Sequence, residues 1–486
     1  MKQHLFLLAT LFAVLSLPAQ TISFDLQPEG KGTNKDLSPQ FIGCDGQRIV
    51  LVESTGLLQN HLSLVAYGLD QKELARTELG TDKESRTYGG FINGQHIDLL
   101  RADFKDDDLT GTTSMTVYRD RRNLSTLQPE GDTLLLGSFT ADKGDDLGFG
   151  IAVSPNGELL AGVFVARRKA LGTEVKVGLY NHELEEYWLM PVNEFNFNEM
   201  SVTDEGDVIL YRLSEKCFFT LIDGEHAKTA EFTLSPDEGT KIVEREFVRY
   251  GNDKILVAAS VREENHTFMP EGANIDRVDI HCFNIKDNSH KVERHPFTDQ
   301  ECHRLCNTKE GKSPRHHWVQ FGQLTQTLAD KEGAYVMVDQ TWSVSVNGIK
   351  TEWHRAGMMV MRVDENGRIL WTRTQRLSAS TTWEARSLIN HRWVSFPDGI
   401  MIAWVDHAGN ITTPLEKPFK EYKPSRTKGV LNVWTLSPSG KETRSYTQTE
   451  HYSLTGTPHQ MEKPGKYACL LSSMRKGRVA FIEVEN

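Results

Sequence analysis

Between His281 and His317 the chain gathers six of its seventeen histidines and three of its six cysteines, Cys282, Cys302 and Cys306. The stretch ECHRLCNTKEGKSPRHHW brings Cys302, His303, Cys306, His316 and His317 close together in sequence. Thiolate and imidazole groups in that number are ligands for a structural zinc ion. The C-x3-C spacing followed by two adjacent histidines matches no established finger, and exported proteins oxidise their thiols. A disulfide involving Cys302 or Cys306 therefore ranks ahead of zinc. Cys44, Cys217, Cys282 and Cys469 sit at strands or turns and read as buried thiols. Two acidic loops, Asp106 to Asp108 and Asp142 with Asp145 and Asp146, offer oxygens to calcium, although a solvated acidic loop is the commoner outcome.

A second group combines bases with cations. His354-Arg355, His391-Arg392 and His316-His317 beside Arg315 each pair a proton acceptor with a group that could neutralise a carboxylate. Eight of the nine tryptophans lie between Trp318 and Trp434. Trp371, Trp404 and Trp434 fall inside strands and should pack between sheets. Trp318, Trp342, Trp353, Trp383 and Trp393 lie in or beside long loops, where aromatic planes suit sugar rings or peptide side chains. With Arg386 these five are the candidate ligand-binding residues, and His354, Arg355, His391 and Arg392 are the catalytic candidates. The alternative for each tryptophan is that it glues a loop to the scaffold. There is no G-x-S-x-G, no H-E-x-x-H and no Walker loop.

The elements that must position these groups repeat eight times. An extended run breaks at a tight turn and restarts as an apolar strand: FIGCDGQRIVLV, GGFINGQHIDLL, AVSPNGELLAGV, SVTDEGDVILY, VRYGNDKILVAA, LADKEGAYVMV, VSFPDGIMIAW and MEKPGKYACLL. Glycine precedes the second strand in seven of them, at Gly46, Gly94, Gly157, Gly206, Gly333, Gly399 and Gly465, and Asp253 takes that place in the fifth. Such turns need a positive φ, which glycine supplies without steric cost. Short strands repeated at this period predict an all-β fold, a single β-propeller of four-stranded blades. The last unit is one strand short, and TISFDLQ at residues 21–27 is an orphan that can complete it. That closure predicts eight blades. Seven is the alternative, because the fourth unit is thin around CFFTLIDGEHAKTAEF.

In such a blade the a–b and c–d turns lie on one face of the disc, and the b–c loops and d–a crossovers on the other. Seven long segments map to the second face: Asp106 to Gly111, Pro129 to Leu147, Glu263 to Asn274, Asp299 to Gln320, Thr341 to Gly357, Ala379 to Leu388 and Asp406 to Lys428. Long loops on a rigid scaffold are where binding and catalysis concentrate, so the site is expected there, within residues 263–428. Lys2, an apolar run from Leu5 to Leu17 and then Pro18-Ala19-Gln20 read as a cleavable secretory signal over residues 1–20. The mature domain is then 21–486, placed in the periplasm, at the cell surface or in the medium. A formal charge of −11 argues against nucleic acid and anionic membranes as partners, and no later run reaches spanning length.

VDENGRILW (Val363 to Trp371), with the SPNG and FPDG turns, resembles the blade repeats of pyrroloquinoline-quinone-type and WD-like bacterial propellers. The resemblance implies the fold and carries no functional motif. Eight-bladed quinone dehydrogenases place a vicinal disulfide over their cofactor, and this chain has no adjacent cysteines. Two function classes follow. One is an exported propeller that grips a glycan, peptide or partner protein on its b–c/d–a face. The other is an extracytoplasmic carbohydrate-active enzyme, such as a polysaccharide lyase, working through His and Arg of that face.

Overall fold

Alternating apolar and polar residues with glycine-bounded turns fold as predicted, into eight four-stranded antiparallel sheets arranged as a β-propeller. The computed structural model describes residues 21–26, 30–31 and 40–485, except 56–60, 71, 82–84, 155–157, 169–171, 182, 193–198, 214–215, 235, 251–253, 264–273, 285–286, 310–318, 321, 331, 347–349, 383–388, 397, 425, 462–464 and 474–475. Blade one shows the pattern, with Gln40–Cys44 innermost, then Arg48–Thr55, His61–Gly68 and Glu73–Thr81 at the rim. The a–b turn glycines take positive φ, including Gly46 at 89° and Gly206 at 95°. Blade four is complete, built from Glu199–Val202, Val208–Leu213, Lys216–Ile222 and Ala227–Thr233. Its strands are only four to seven residues long, which is why the sequence looked thin there.

Blade eight closes the ring. Ser453–Gln460, Lys466–Ser473 and Lys476–Glu485 supply strands a to c, and Thr21–Leu26 adds strand d in antiparallel register from Thr21 opposite Glu485 to Leu26 opposite Ala480. Ile22 is buried among Tyr452, Leu454 and Tyr467, and its carbonyl accepts a hydrogen bond from Ser445 in the outer strand of blade seven. The N-terminal strand therefore joins blades seven and eight as well as completing the sheet.

Apolar layers fill the seams between blades. Between blades six and seven, Tyr335, Met337, Met358 and Val360 meet Ile400, Ile402, Trp404 and Trp434, and partly buried Trp371 packs beside them. Fully burying side chains of this size stabilises by about 1.5–3 kcal/mol each. Trp404 and Trp434 are thus seam residues, as their strand positions imply. Among the described residues no helix is long and apolar enough to cross a membrane.

The reading of long segments needs two corrections. Thr341 to Gly357 is not a long loop, because strand b of blade six runs to Val346 and strand c starts at Lys350, which makes Trp342 and Trp353 strand residues. Pro129 to Leu147 is not a crossover, because Leu134–Asp142 is strand d of blade two, paired with Thr112–Asn123. A register shift between Leu135 and Gly137 disguises its alternation. Residues 129–133 consequently lie on the c–d side, and six of the seven segments map to the b–c/d–a face.

The closing strand generates a test. Deleting residues 21–27 should lower the melting temperature by on the order of 10 °C and bring concentration-dependent aggregation through the exposed edge of Lys476–Glu485. Scanning calorimetry with light scattering measures both, and an unchanged melt would contradict the closure.

Candidate functional site

Blade six carries the longest strands of the disc. Strand b is Gly333–Val346, strand c is Lys350–Asp364 and strand d is Ile369–Thr382, with 14, 15 and 14 residues. Their ends rise above the b–c/d–a face as a three-stranded arm in which Thr341, Trp342 and Ser343 pair with Arg355, His354 and Trp353. Register shifts at the base, between Asp339 and Thr341 and between Arg355 and Gly357, re-aim the side chains where the arm leaves the blade. On one side Trp342 and His354 stack, with ring centroids 5.2 Å apart and planes 10° from parallel. His354 lies 3.8 Å from carboxylate oxygens of both Glu352 and Glu421. On the other side Trp353 packs against an apolar cluster that includes Ala379, Ile389 and Tyr422.

Arg355 shares a sheet face with Trp353, two residues away, and points into the seam. Its Nε donates to both oxygens of Asp339, at 3.2 and 2.9 Å, its Nη2 donates to Asp339 Oδ2, and its Nη1 donates to the carbonyl of Ile389 at 2.9 Å. Asp339 is fully buried. His391, 7 % exposed, places Nδ1 3.7 Å from Asp339 Oδ2, and that nitrogen makes no hydrogen bond. Arg392 follows at the start of Arg392–Phe396, the innermost strand of blade seven, and its Nε is buried without a partner. Burial, reinforced by the neighbouring guanidinium groups of Arg355 and Arg392, drives the His391 imidazole well below its ordinary pKa. It is therefore neutral at physiological pH. Burial also raises the Asp339 carboxyl against the opposing pull of Arg355.

The surrounding segments lock onto this group. Residues 406–428 fold back so that Tyr422 N donates to Ser378 O at 2.7 Å and Ser380 N donates to Tyr422 O at 3.0 Å. Phe419 and Asn307 exchange hydrogen bonds at 2.7 and 3.1 Å, tying blade seven's b–c loop to the crossover between blades five and six. Fully buried Arg376 donates to the carbonyls of Leu415 and His303, one in each segment. At the base of the loop, Asp406 Oδ1 accepts from His407 N at 2.7 Å and Asn410 Nδ2 at 2.9 Å. Burial pushes its carboxyl up to about 7.

The crossover from blade five holds helix α1 (Asp299–Leu305), with Thr298 as N-cap and Glu301 completing a capping box. Gly357 is required where α1 touches blade six, since a Cβ there would lie 2.5 Å from Leu305 Cα. All six cysteines are free thiols, so the expected disulfide at Cys302 or Cys306 does not form. The two lie one helical turn apart on the same side of α1, where the side chains run alongside each other and do not converge. Cys302 packs in the apolar layer between blades five and six, and burial pushes its thiol up to about 12. Cys306 faces Gln340, and His303 Nδ1 pairs with Thr308 Oγ1. Among the described residues no three His, Cys, Asp or Glu side chains are grouped to hold a metal ion. His316 and His317 lie outside the described residues. In the acidic loops Asp107 accepts from the backbone of Leu109 and Thr110, and Asp108 pairs with Lys143.

Of the sequence-predicted residues, Arg355, His391 and Arg392 come together, whereas His354 faces the opposite side of the arm. Trp342 and Trp353 are half-buried on the arm. Trp393 is 5 % exposed inside the seam between blades six and seven, so it packs rather than lining the face. Trp318, Trp383 and Arg386 lie outside the described residues. Sequence reasoning missed Asp339, Arg376, Asp406 and Tyr422. The two aspartates had a signal: each closes an apolar b strand, as Val338-Asp339-Gln340 and Val405-Asp406-His407.

No protein-family model and no curated protein sequence matches the chain. Similar solved structures include propellers, among them pyrroloquinoline-quinone-type dehydrogenases. The WD40 domain of SCAP from fission yeast aligns over 95% of this chain and 98% of its own, at 11% identity and a TM-score of 0.39. A quinohemoprotein alcohol dehydrogenase from Pseudomonas putida aligns over 95% and 76%, at 9% identity and a TM-score of 0.39. A europium-containing methanol dehydrogenase aligns over 95% and 93%, at 9% identity and a TM-score of 0.34. These likenesses are of fold alone.

Two buried charges yield tests. Asp339→Leu leaves Arg355 without its carboxylate and should destabilise by about 3–5 kcal/mol, while the double variant with Arg355→Met should recover most of that loss. Denaturant unfolding of the three proteins reads it. For Asp406 the folded pKa, about 7, lies above the unfolded value, so the folded chain holds the proton more tightly and stability falls as pH rises from about 4 to 7. Asp406→Asn keeps both hydrogen bonds without the charge. It should match the parent near pH 4 and exceed it at pH 8 by on the order of 2–4 kcal/mol, seen in melts at the two pH values.

Proposed function

We propose that the chain is an exported propeller that grips a ligand on the b–c/d–a face of blades six and seven. The observation that carries this reading is the interlocked rim. Three separate stretches, 299–309, 378–382 and 406–424, are tied to each other and to the arm through Asn307, Arg376 and Tyr422. A site held this way loses little conformational freedom on binding, which favours affinity. The stacked Trp342 and His354 present an aromatic surface on the arm, suited to a sugar ring or a peptide side chain. The ligand classes that fit are a glycan, a peptide or a partner protein.

The carbohydrate-active enzyme is the second reading, favoured by one observation: neutral His391 stands next to Arg392, a proton acceptor beside a cation. A lyase would release an unsaturated product from a uronate polymer, and its ultraviolet absorbance would separate the two readings.

An array of glycans and peptides probed with the mature protein tests the face. Trp342→Ala should weaken whatever binding is found by about 1–3 kcal/mol. Glu365→Ala, in the c–d turn on the opposite face, should leave it unchanged. Equal losses from the two variants would refute a one-sided site.

A further inference from the structure

The cluster under the arm does not balance its charge. Asp339 contributes one negative charge, and Arg355 takes it through a two-pronged contact. His391 is neutral. Arg392 remains: among the described residues no carboxylate pairs with it, and its Nε is buried without a hydrogen bond. The charged neighbour acting on it is Arg355, which repels it. A guanidinium stays protonated under such pressure, so it cannot relieve the imbalance by losing a proton. Arg392 Nε is desolvated while the residue as a whole stays partly exposed, so the unpaired charge is open to an anion from solvent.

The form of that anion follows from the surroundings. One uncompensated guanidinium is matched by a single negative charge, and its planar fork fits a carboxylate through two parallel hydrogen bonds. A doubly charged phosphate would leave a net negative charge in the same place. Trp353 stands on the same sheet face as Arg355, half-buried and packed against the apolar cluster that contains Ala379 and Ile389. An aromatic ring on the same face of the disc as a guanidinium that donates to a carboxylate matches a sugar ring bearing a carboxyl group, because the ring's apolar side stacks while the acid reaches the cation.

We infer that Arg392, with Trp353 on the neighbouring arm, forms a subsite for the carboxylate of a uronic acid residue in an acidic glycan. This rests on the b–c/d–a face being the binding face and adds the chemical class of the ligand.

Isothermal titration of the mature protein with oligomers of galacturonate, mannuronate and hyaluronan, each beside its methyl ester, tests the subsite. At least one acid form should bind tenfold or more tightly than its ester. Arg392→Gln should lose that preference while leaving ester binding alone, and Arg392→Lys, which keeps the charge but not the fork, should retain part of it. If Arg392→Gln proves unstable, the Arg392→Lys titration alone decides the matter. Equal affinity for acid and ester, or an acid preference untouched at Arg392, would overturn the uronate subsite and leave the face reading standing. Binding of acetylated glutamate peptides that depends on Arg392, with no oligouronate bound, would overturn the sugar assignment. If no oligouronate binds and the array also yields no ligand sensitive to Trp342→Ala, both readings fall.

Discussion

Eight sheets packed side by side leave two free ends, and the pairing of Thr21–Leu26 with Lys476–Glu485 joins them. That pairing reaches further than blade eight. Ile22 belongs to one apolar cluster with Ala379, Ile389 and Tyr422. Ile389 offers its carbonyl to Arg355, and Tyr422 anchors the loop of blade seven against blade six. Ring closure and the candidate site therefore share a floor. A ring that opened at blade eight would loosen the contacts that hold the charged cluster.

The seam between blades six and seven combines two kinds of interaction that answer different needs. Its lower part is apolar and large, with Trp393, Trp404 and Trp434 filling the wedge between twisted sheets. Its upper part is ionic and directional. Burying Asp339 and Arg355 costs desolvation that a two-pronged contact repays only in part, and a hydrophobic pair would serve stability as well. What the ions contribute is position. Arg355 links the arm to the start of blade seven through Ile389, and Arg376 links two loops from different blades through backbone carbonyls. The long segments are in this way held as one rim.

The departures from expectation share a cause. The expected disulfide at Cys302 or Cys306 does not form, because α1 winds Cys302 into an apolar layer and leaves Cys306 facing Gln340. The strand in Pro129 to Leu147 escaped notice because a bulge interrupts its alternation. Trp393 looked like a loop residue and proved to be the second residue of an inner strand. Each depends on where a few residues of backbone turn, which residue type alone does not specify.

Much of the architecture is local and was legible without coordinates. Glycine at seven of the eight a–b turns favours positive φ, period-two alternation sets the strands, and an orphan strand at one end with a missing strand at the other points to the closure. The turns and the alternation concern neighbours in sequence, so the sequence by itself favoured eight blades over seven and determined the strand order and the face that carries most of the insertions. The site is different. Asp339, Arg355, His391 and Arg392 come from three strands and a crossover in two blades, and their meeting depends on bulges that change which way a side chain points. His354 and Arg355 are adjacent in sequence and look equivalent, yet alternation in the arm sends one to Trp342 and the other into the seam. Only the tertiary structure decided which charges are neutralised and which guanidinium is left over. Charge balance in a buried place is a sum over residues distant in sequence, and packing alone brings them within reach of one another.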